Sequence, residues 1–288
     1  MSFAKGSGDA SMSLEKFLLT IVFTFGAFFA GMWTAAQLMD ASGVMNEVKS
    51  SLRFAFNLLP FVFGLGALLL SVKFIHNRPI LSVITSRKKF DWQRFFFAFG
   101  LWFLFQMVFL LLGKASGAPV SFNLSLAHFL PLLLVSITLL PIQTAFEDIL
   151  YRGFLFQGLS SVIGKAGISV VIIALLFGFM HMGNPEVDVF GYFALAYYCI
   201  SGLFLGLLAH FDDGLELGMG YHFANNFFGA AILTNTWQVF QSHAVFTDHA
   251  EPSFSWEMWL PLAVLQPAML YAFYRIYRWK NPLKRILE

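Results

Sequence analysis

Residues 123–160, NLSLAHFLPLLLVSITLLPIQTAFEDILYRGFLFQGLS, form an apolar stretch with two adjacent carboxylates and an arginine at its centre, Glu147, Asp148 and Arg152. No polar loop divides the stretch, and Pro141 interrupts it. At ~1.5 Å per residue it is long enough for one long crossing of a ~30 Å hydrocarbon layer or for two short ones. A charge at that depth costs ~2.5–17 kcal/mol, so these side chains indicate chemistry or transport.

The composition of the whole chain predicts a membrane protein. Of its 288 residues 58% are hydrophobic and only 12% are charged, whereas a soluble domain has about 25% charged residues. The net charge of +2 gives no strong field for a nucleic acid, so we expect none as a partner. The lone cysteine, Cys199, rules out an internal disulfide. The first apolar run is too long for a signal-peptide core, which predicts a retained anchor.

The apolar stretches predict an all-α, polytopic fold with about eight transmembrane helices in the lipid bilayer. Each is long enough, or nearly so, to cross the hydrocarbon layer. They lie near 14–38, 54–76, 94–114, 123–160, 166–183, 191–211, 216–234 and 256–278. We divide the chain into residues 1–122 with the first three helices, a core over 123–235, and residues 236–288 with an outer loop, the last helix and a basic tail.

Basic residues set the predicted orientation, because loops rich in lysine and arginine stay in the cytoplasm. They gather in the 73–94 loop and in the tail after 274, and the 235–255 loop has none. Both basic segments share one side only if 123–160 is a single helix, kinked at Pro141. The acidic 212–216 turn then also faces the cytoplasm. We therefore expect an integral protein of a bacterial inner membrane with both termini cytoplasmic.

Two histidines are predicted to meet the buried carboxylates. Glu147 lies 17 residues before Gly164 and His181 lies 17 after it, so an antiparallel helix pair turning at Gly164 brings them to one height. His222 lies about nine residues beyond the 212–214 turn, roughly 13 Å along a helix. We expect these groups to share an intramembrane cavity that is open to the cytoplasm.

The spacing within each helix indicates which side chains pair. Asp148 and Arg152 stand at i and i+4 and can neutralise each other on one face. Glu147 points to a neighbouring face and stays free to accept a proton from water. His222 and Asn226 are again i and i+4, and they offer N–H donors to an oxyanion. This inventory suits the hydrolysis of an amide bond.

Three segments resemble the CAAX protease and bacteriocin-processing family (CPBP, also called Abi) of intramembrane peptidases. Phe146–Gly153, FEDILYRG, is similar to its Glu-Glu-x-x-x-Arg motif. Phe177–His181, FGFMH, resembles its Phe-x-x-x-His motif, and His222–Asn226, HFANN, its His-x-x-x-Asn motif. Each motif alone is weak, but three in this order in separate apolar stretches are specific. The departure is an aspartate at position 148, where the family usually has a second glutamate.

The resemblance implies an endopeptidase with Glu147, His181, His222 and Asn226 as catalytic residues. Glu147, helped by His181, would activate water, and His222 with Asn226 would stabilise the oxyanion; Asp148 and Arg152 would be supporting residues. Because the family was named as metalloproteases, Glu147, His181 and His222 are also candidate zinc ligands. No His-Glu-x-x-His sequence occurs, and we favour a metal-free glutamate mechanism with no firm cofactor.

Two other functions stay open from the residues alone. The same buried Glu and His groups could form the relay of a proton-coupled transporter, or the chain could be a non-catalytic membrane scaffold. For a peptidase we expect a membrane-associated protein or peptide as the substrate. Prenylated CAAX proteins are not expected in a bacterial inner membrane.

Overall fold

Polar residues begin the first three long helices of the computed structural model, which describes residues 3–5, 13–253 and 259–287. Ser13 accepts a hydrogen bond from the amide of Lys16, and Ser50 accepts one from the amide of Arg53. Asp91 accepts two, including one of 3.1 Å from the amide of Gln93. These side chains satisfy amides that a helix start leaves without a partner.

The described chain is mostly helical. The helices are α1 Leu14–Ala41, α2 Ser51–Phe74, α3 Trp92–Ala115, α4 Leu126–Thr138, α5 Leu140–Asp148, α6 Phe156–Ile163, α7 Ala166–Phe179, α8 Pro185–Phe190, α9 Tyr192–Asp212, α10 Glu216–Phe227, α11 Gln266–Tyr277 and α12 Pro282–Leu287. π-Helical segments at Ile149–Leu155, Phe228–Ile232 and Pro261–Leu265 join or extend them, and Phe3–Lys5 and Ile80–Val83 are 3₁₀ turns.

The opening stretch forms one helical run, Leu126–Ile163, as the missing polar loop predicted. It is interrupted at Leu139, two residues before Pro141, which stands in the first turn of α5. Proline lacks an amide and suits a first turn, so it marks the interruption without ending the run. Gly164 ends α6 with a positive φ of 73°, a conformation that glycine adopts without strain.

Five of the described helices are long and apolar enough to cross a membrane, by length and composition. They are Leu14–Ala41, Ser51–Phe74, Trp92–Ala115, Leu126–Ile163 and Tyr192–Asp212. Ala166–Phe179 is a shorter apolar helix. Helices also occupy the two remaining predicted stretches, at 216–232 and 261–277. The fold is that of a helical membrane protein, and the count of eight crossings stays a prediction.

A small sheet departs from the all-α prediction. It has the strand order β1-β3-β2, with β1 at Val120–Phe122, β2 at Leu233–Thr234 and β3 at Phe246–Asp248. β1 pairs antiparallel with β3 from Val120 opposite Asp248, and β2 pairs parallel with β3. β1 follows α3, and β2 follows α10 and its π-helical extension. Because these two helices end on the same side of the bundle, the two strands can meet in one sheet although they are distant in sequence.

Opposite charges tie together the other end of the bundle. Arg87 of the basic loop binds Asp212 at 2.8 Å and Glu216 at 2.9 Å, both on the acidic turn. Arg285 of the basic tail binds Asp213 of the same turn at 2.8 Å. Both basic segments and the acidic turn therefore lie at one end, as the single helical run requires, and the acidic residues serve as partners for the arginines.

The first two sequence parts pack against each other in the structure. Gly64 of α2 leaves room for the ring of Phe146 in α5, which a Cβ there would approach to 2.7 Å. Phe95 of α3 lies 6.3 Å from Phe223 of α10, between ring centroids. The boundaries at 122 and 235 stay predictions.

Candidate active site

Asp148 and Arg152 form the predicted pair where α5 passes into the π-helical segment. Arg152 Nη1 lies 3.2 Å from Asp148 Oδ1, and the two side chains are 1% and 3% exposed. The Arg152 guanidinium also stacks on Phe177 of α7, 3.8 Å from the ring centroid. The aromatic ring and the carboxylate together compensate a cation that has left water.

Asp148 also binds His222, a contact that the sequence did not predict. Its second oxygen, Oδ2, is 3.2 Å from His222 Nδ1. Because an ionised carboxylate only accepts hydrogen bonds, Nδ1 carries a proton and donates it. This bond fixes the imidazole and directs Nε2 towards Glu147. Asp148 thus connects α5 to α10 and holds His222 in place.

Glu147 is partly buried next to His222, and one of its two oxygens makes no hydrogen bond. Gln143, one turn earlier, donates to Oε1 at 2.6 Å. Oε2 lies 3.5 Å from His222 Nε2, is buried, and makes no hydrogen bond. A buried carboxylate oxygen left unpaired is costly and unusual, and such groups concentrate at functional sites.

Asn226 completes the cluster through the side chain of Gln143. It donates to Gln143 Oε1 at 2.9 Å, and its Nδ2 lies 3.5 Å from His222 Nε2. Asn225 instead accepts from the indole of Trp102 at 3.2 Å and donates to Asn226 Oδ1 at 3.3 Å. Asn226 is therefore the amide that faces the histidine, and Asn225 supports it.

Gln143 is the site residue that the sequence reasoning missed. Its amide bridges Glu147 and Asn226, which belong to different helices. A signal existed, because Gln143 stands at i−4 from Glu147 inside an apolar stretch, the spacing already used for Asp148 and Arg152.

His181 lies beside the cluster without a direct hydrogen bond to it in the described structure. Its Nδ1 is 2.7 Å from the carbonyl oxygen of Phe177, which can only accept, so a neutral ring exposes the lone pair of Nε2. The ring stacks on Tyr198 of α9 at 4.2 Å, and Phe177 lies in edge contact with both His181 and His222.

Close helix contacts hold these side chains in position. Gly153 of the π-helical segment lies so near Val83 that a Cβ would overlap the Val83 carbonyl oxygen. On α7, a Cβ at Gly178 would overlap Cys199 Sγ of α9. Single-turn π segments inside α-helices are frequent at functional sites, and this one begins directly after Asp148.

The candidate zinc ligands do not form a three-ligand set here. Within residues 3–5, 13–253 and 259–287, no three His, Cys, Asp or Glu side chains are grouped so that they could hold a metal ion. Glu147 and His222 face each other, while His222 Nδ1 is bound to Asp148 and His181 stands apart. A protein zinc site needs three or four converging donors, so these residues do not fit one.

A cavity of about 410 Å³ touches the site through Asn225 and Tyr198. Its other walls come from α8, the start of α9 and residues near 237 and 261. This places it at the opposite end of α9 from Asp212 and the basic loops. An opening towards the basic end stays a prediction.

Comparison with known proteins finds similarity to one family over the segment that carries the candidate site. The sequence model of the family described as type II CAAX prenyl endopeptidase, Rce1-like, matches residues 127–228. This confirms the resemblance read from the three motifs. All four predicted catalytic residues, Glu147, His181, His222 and Asn226, lie within the matched segment.

A relative from Bacillus subtilis (strain 168), the uncharacterized protein YyaK, is 29% identical over 208 residues, which cover 71% of this chain and 69% of the relative. No solved structure matches the chain significantly. The family match supports a membrane-embedded hydrolase that acts on a peptide or protein, and it does not favour the transporter or the scaffold.

Proposed function

We propose that this protein is an intramembrane endopeptidase in which Glu147 activates water to cleave a peptide bond of a membrane-associated protein or peptide. The observation that supports it most is the unpaired Glu147 Oε2, buried 3.5 Å from His222 Nε2. Gln143 holds the other oxygen, so the free one has a fixed direction. A general base needs such a position within reach of a water molecule.

The reaction uses the chain's own side chains. Water attacks the scissile carbonyl carbon and gives a proton to Glu147, which passes it to the leaving amine nitrogen as the C–N bond breaks. His181 Nε2, with its lone pair free, helps to position that water. General acid–base catalysis of this kind contributes roughly 10²–10⁴-fold in rate.

His222 and Asn226 stabilise the oxyanion of the tetrahedral intermediate. Asn226 offers an amide N–H, and His222 donates from Nε2 when that nitrogen is protonated. Asp148 accepts a hydrogen bond from Nδ1 and so orients the ring, in the way a buried carboxylate orients a catalytic histidine. Arg152 holds the Asp148 carboxylate in place from the other side, at 3.2 Å. Preorganised donors of this kind are worth about 3–4 kcal/mol each.

The proposed setting is a bacterial inner membrane crossed eight times, with both termini in the cytoplasm. The basic 73–94 loop and the basic tail lie together at one end, which the positive-inside rule assigns to the cytoplasm. We propose a membrane peptide or the end of another membrane protein as the substrate. The matched family is named for prenyl proteins, which are not expected in such a membrane.

Comparative proteomics of membranes tests the proposal. Cells with the wild type are compared with cells that carry Glu147→Gln, which keeps the shape of the side chain and removes its basicity. We expect at least one peptide bond that is cut only by the wild type. The matched control is Asp188→Asn, an exposed acid on α8 outside the site, which should cut as the wild type does. A stable, inserted Glu147→Gln protein with the full cleavage pattern would refute the proposal.

A further inference from the structure

The cavity of about 410 Å³ beside the site has a distinct chemistry, aromatic walls with one carboxylate. Tyr197, Tyr198 and Trp237 are among the rings that line it. Phe190 fixes one wall through edge contact with Trp237, with ring centroids 5.2 Å apart. The walls are therefore packed in place before any ligand arrives.

Glu186 is the one charged residue among the lining residues that the structure describes. Its Oε1 accepts a hydrogen bond of 2.9 Å from the amide of Val239. Its Oε2 is buried and has no partner with regular hydrogen-bond geometry, and the hydroxyl of Tyr198, which lines the same cavity, is close enough to act on the carboxylate. Burial raises the pKa of Glu186, so its ionised form gains from a cationic partner. The fold holds this carboxylate at an apolar wall and leaves one oxygen to a ligand.

Ring faces and a carboxylate together recognise a cation. An ammonium or guanidinium group over aromatic rings gains from their negative faces, and the gain increases when the site excludes water. A charge-assisted hydrogen bond to the free carboxylate oxygen adds direction. The lining includes no basic residue in the described chain that would repel such a group.

Two residues connect this cavity to the catalytic cluster. Tyr198 lines the cavity and stacks on His181 at 4.2 Å between ring centroids. Asn225 lines the cavity and donates to Asn226 at 3.3 Å. A side chain in the cavity would therefore belong to a residue close to the bond that the water activated by Glu147 attacks.

We propose that this cavity is a specificity subsite that binds a lysine or arginine side chain of the peptide substrate near the scissile bond, with Glu186 as its counter-charge. The inference rests on the proposed peptidase function. It adds a substrate preference to that function and assigns Glu186 as the residue that sets it.

The test reads the cleavage preference of the purified, reconstituted full-length protein. Proteoliposomes are incubated with a library of peptides from digested bacterial membrane proteins, and the cut bonds are identified by mass spectrometry. We expect lysine or arginine at one fixed position within a few residues of the bond, enriched about tenfold over the library. A second library with acetylated lysines should lose the lysine-directed cuts and keep the arginine-directed ones, because acetylation removes the charge.

Variants then assign the preference to Glu186. For the wild type, kcat/KM should be higher for a lysine peptide than for the same peptide with glutamine. Glu186→Gln should bring the ratio of these two values close to one, mainly by raising the KM of the lysine peptide. Asp188→Asn, two residues away and exposed, should keep the ratio of the wild type. Glu186→Lys should shift the preference towards acidic side chains.

The outcomes separate the two proposals. If the wild type cuts no peptide in any library, the peptidase proposal fails and the subsite fails with it. If it cuts without any preference for a basic residue, or if acetylation leaves the lysine cuts unchanged, the subsite is refuted and the peptidase proposal stands. An unchanged ratio in Glu186→Gln would equally refute the role of Glu186.

Discussion

At the scale of residues, the site consists of short-range pairs that were predicted and long-range contacts that were not. Asp148 with Arg152, and His222 with Asn226, follow from helical spacing. The bond from Asp148 to His222 and the bridge through Gln143 join helices far apart in sequence. The spacing of residues within one helix does not indicate which face of another helix they contact. These two contacts could therefore be seen only in the packed structure.

Asp148 has two partners, and a pair of substitutions separates its two roles. Asp148→Asn should lower stability by about 3–5 kcal/mol, because it leaves Arg152 buried without a counter-charge. Asp148→Asn combined with Arg152→Met should recover much of that stability, measured as thermal unfolding in detergent. Cleavage by the double variant should stay at least about tenfold low, because His222 has lost its carboxylate. Full activity in the double variant would contradict the role of Asp148 in orienting His222.

Metal removal tests the chemistry of the same residues. Treatment with a strong zinc chelator followed by dialysis should leave cleavage within about twofold of the untreated protein, because in the proposed mechanism Glu147 and not a metal supplies the base. The control is a zinc peptidase under identical treatment, which should lose activity. Loss of cleavage that added zinc restores would contradict the glutamate mechanism and return Glu147, His181 and His222 to the role of ligands.

At the scale of elements, the sequence predicted the long run and its break but not its changes of helical type. The missing polar loop and Pro141 indicated one interrupted helix, and Leu126–Ile163 has that form. The π-helical segment Ile149–Leu155 was not predicted, because it depends on how closely the run packs against the turn at Val83. The three-stranded sheet was missed because its strands have only two or three residues each.

The contact at Gly153 offers a test of the π-helical segment. Gly153→Ala should destabilise the protein by about 1–3 kcal/mol, because the new Cβ meets the Val83 carbonyl and the segment must shift. The shift would displace Arg152 and lower cleavage as well. Gly66→Ala in α2 is the matched control, with open space around its Cβ, and it should be neutral or stabilise by up to about 1 kcal/mol. Equal unfolding temperatures for the two variants would contradict the close contact.

At the scale of the whole molecule, the positions of the charged residues gave the best prediction of which loops lie at the same end. Basic residues placed the 73–94 loop and the tail on one side, and the structure brings both to the acidic turn. The acidic residues of this turn bind arginines that lie far away in the sequence, Arg87 before them and Arg285 after them. Loop charges reveal the side of a loop, but not its contacts.

Cysteine labelling in whole cells tests this arrangement. In a Cys199→Ala background, Lys88→Cys in the basic loop and Lys280→Cys in the tail should resist a membrane-impermeant maleimide, because both lie at the end that we propose to be cytoplasmic. Glu251→Cys, from the loop without basic residues, should react. All three wild-type side chains are exposed, so burial does not explain a difference. Labelling of Lys88→Cys and protection of Glu251→Cys would invert the proposed topology.

The close contact between α7 and α9 includes a cysteine whose reactivity can be measured in the unmodified protein. Gly178 is three positions before His181, and it lies against the sulfur of Cys199, the single thiol of the chain. Because the Cys199 side chain is only partly buried, its rate of alkylation reports how accessible the contact between α7 and α9 is beside His181. A bound inhibitor that holds α7 and α9 together would slow this alkylation. The mass added to the protein by the reagent would then report inhibitor binding before any substrate is known.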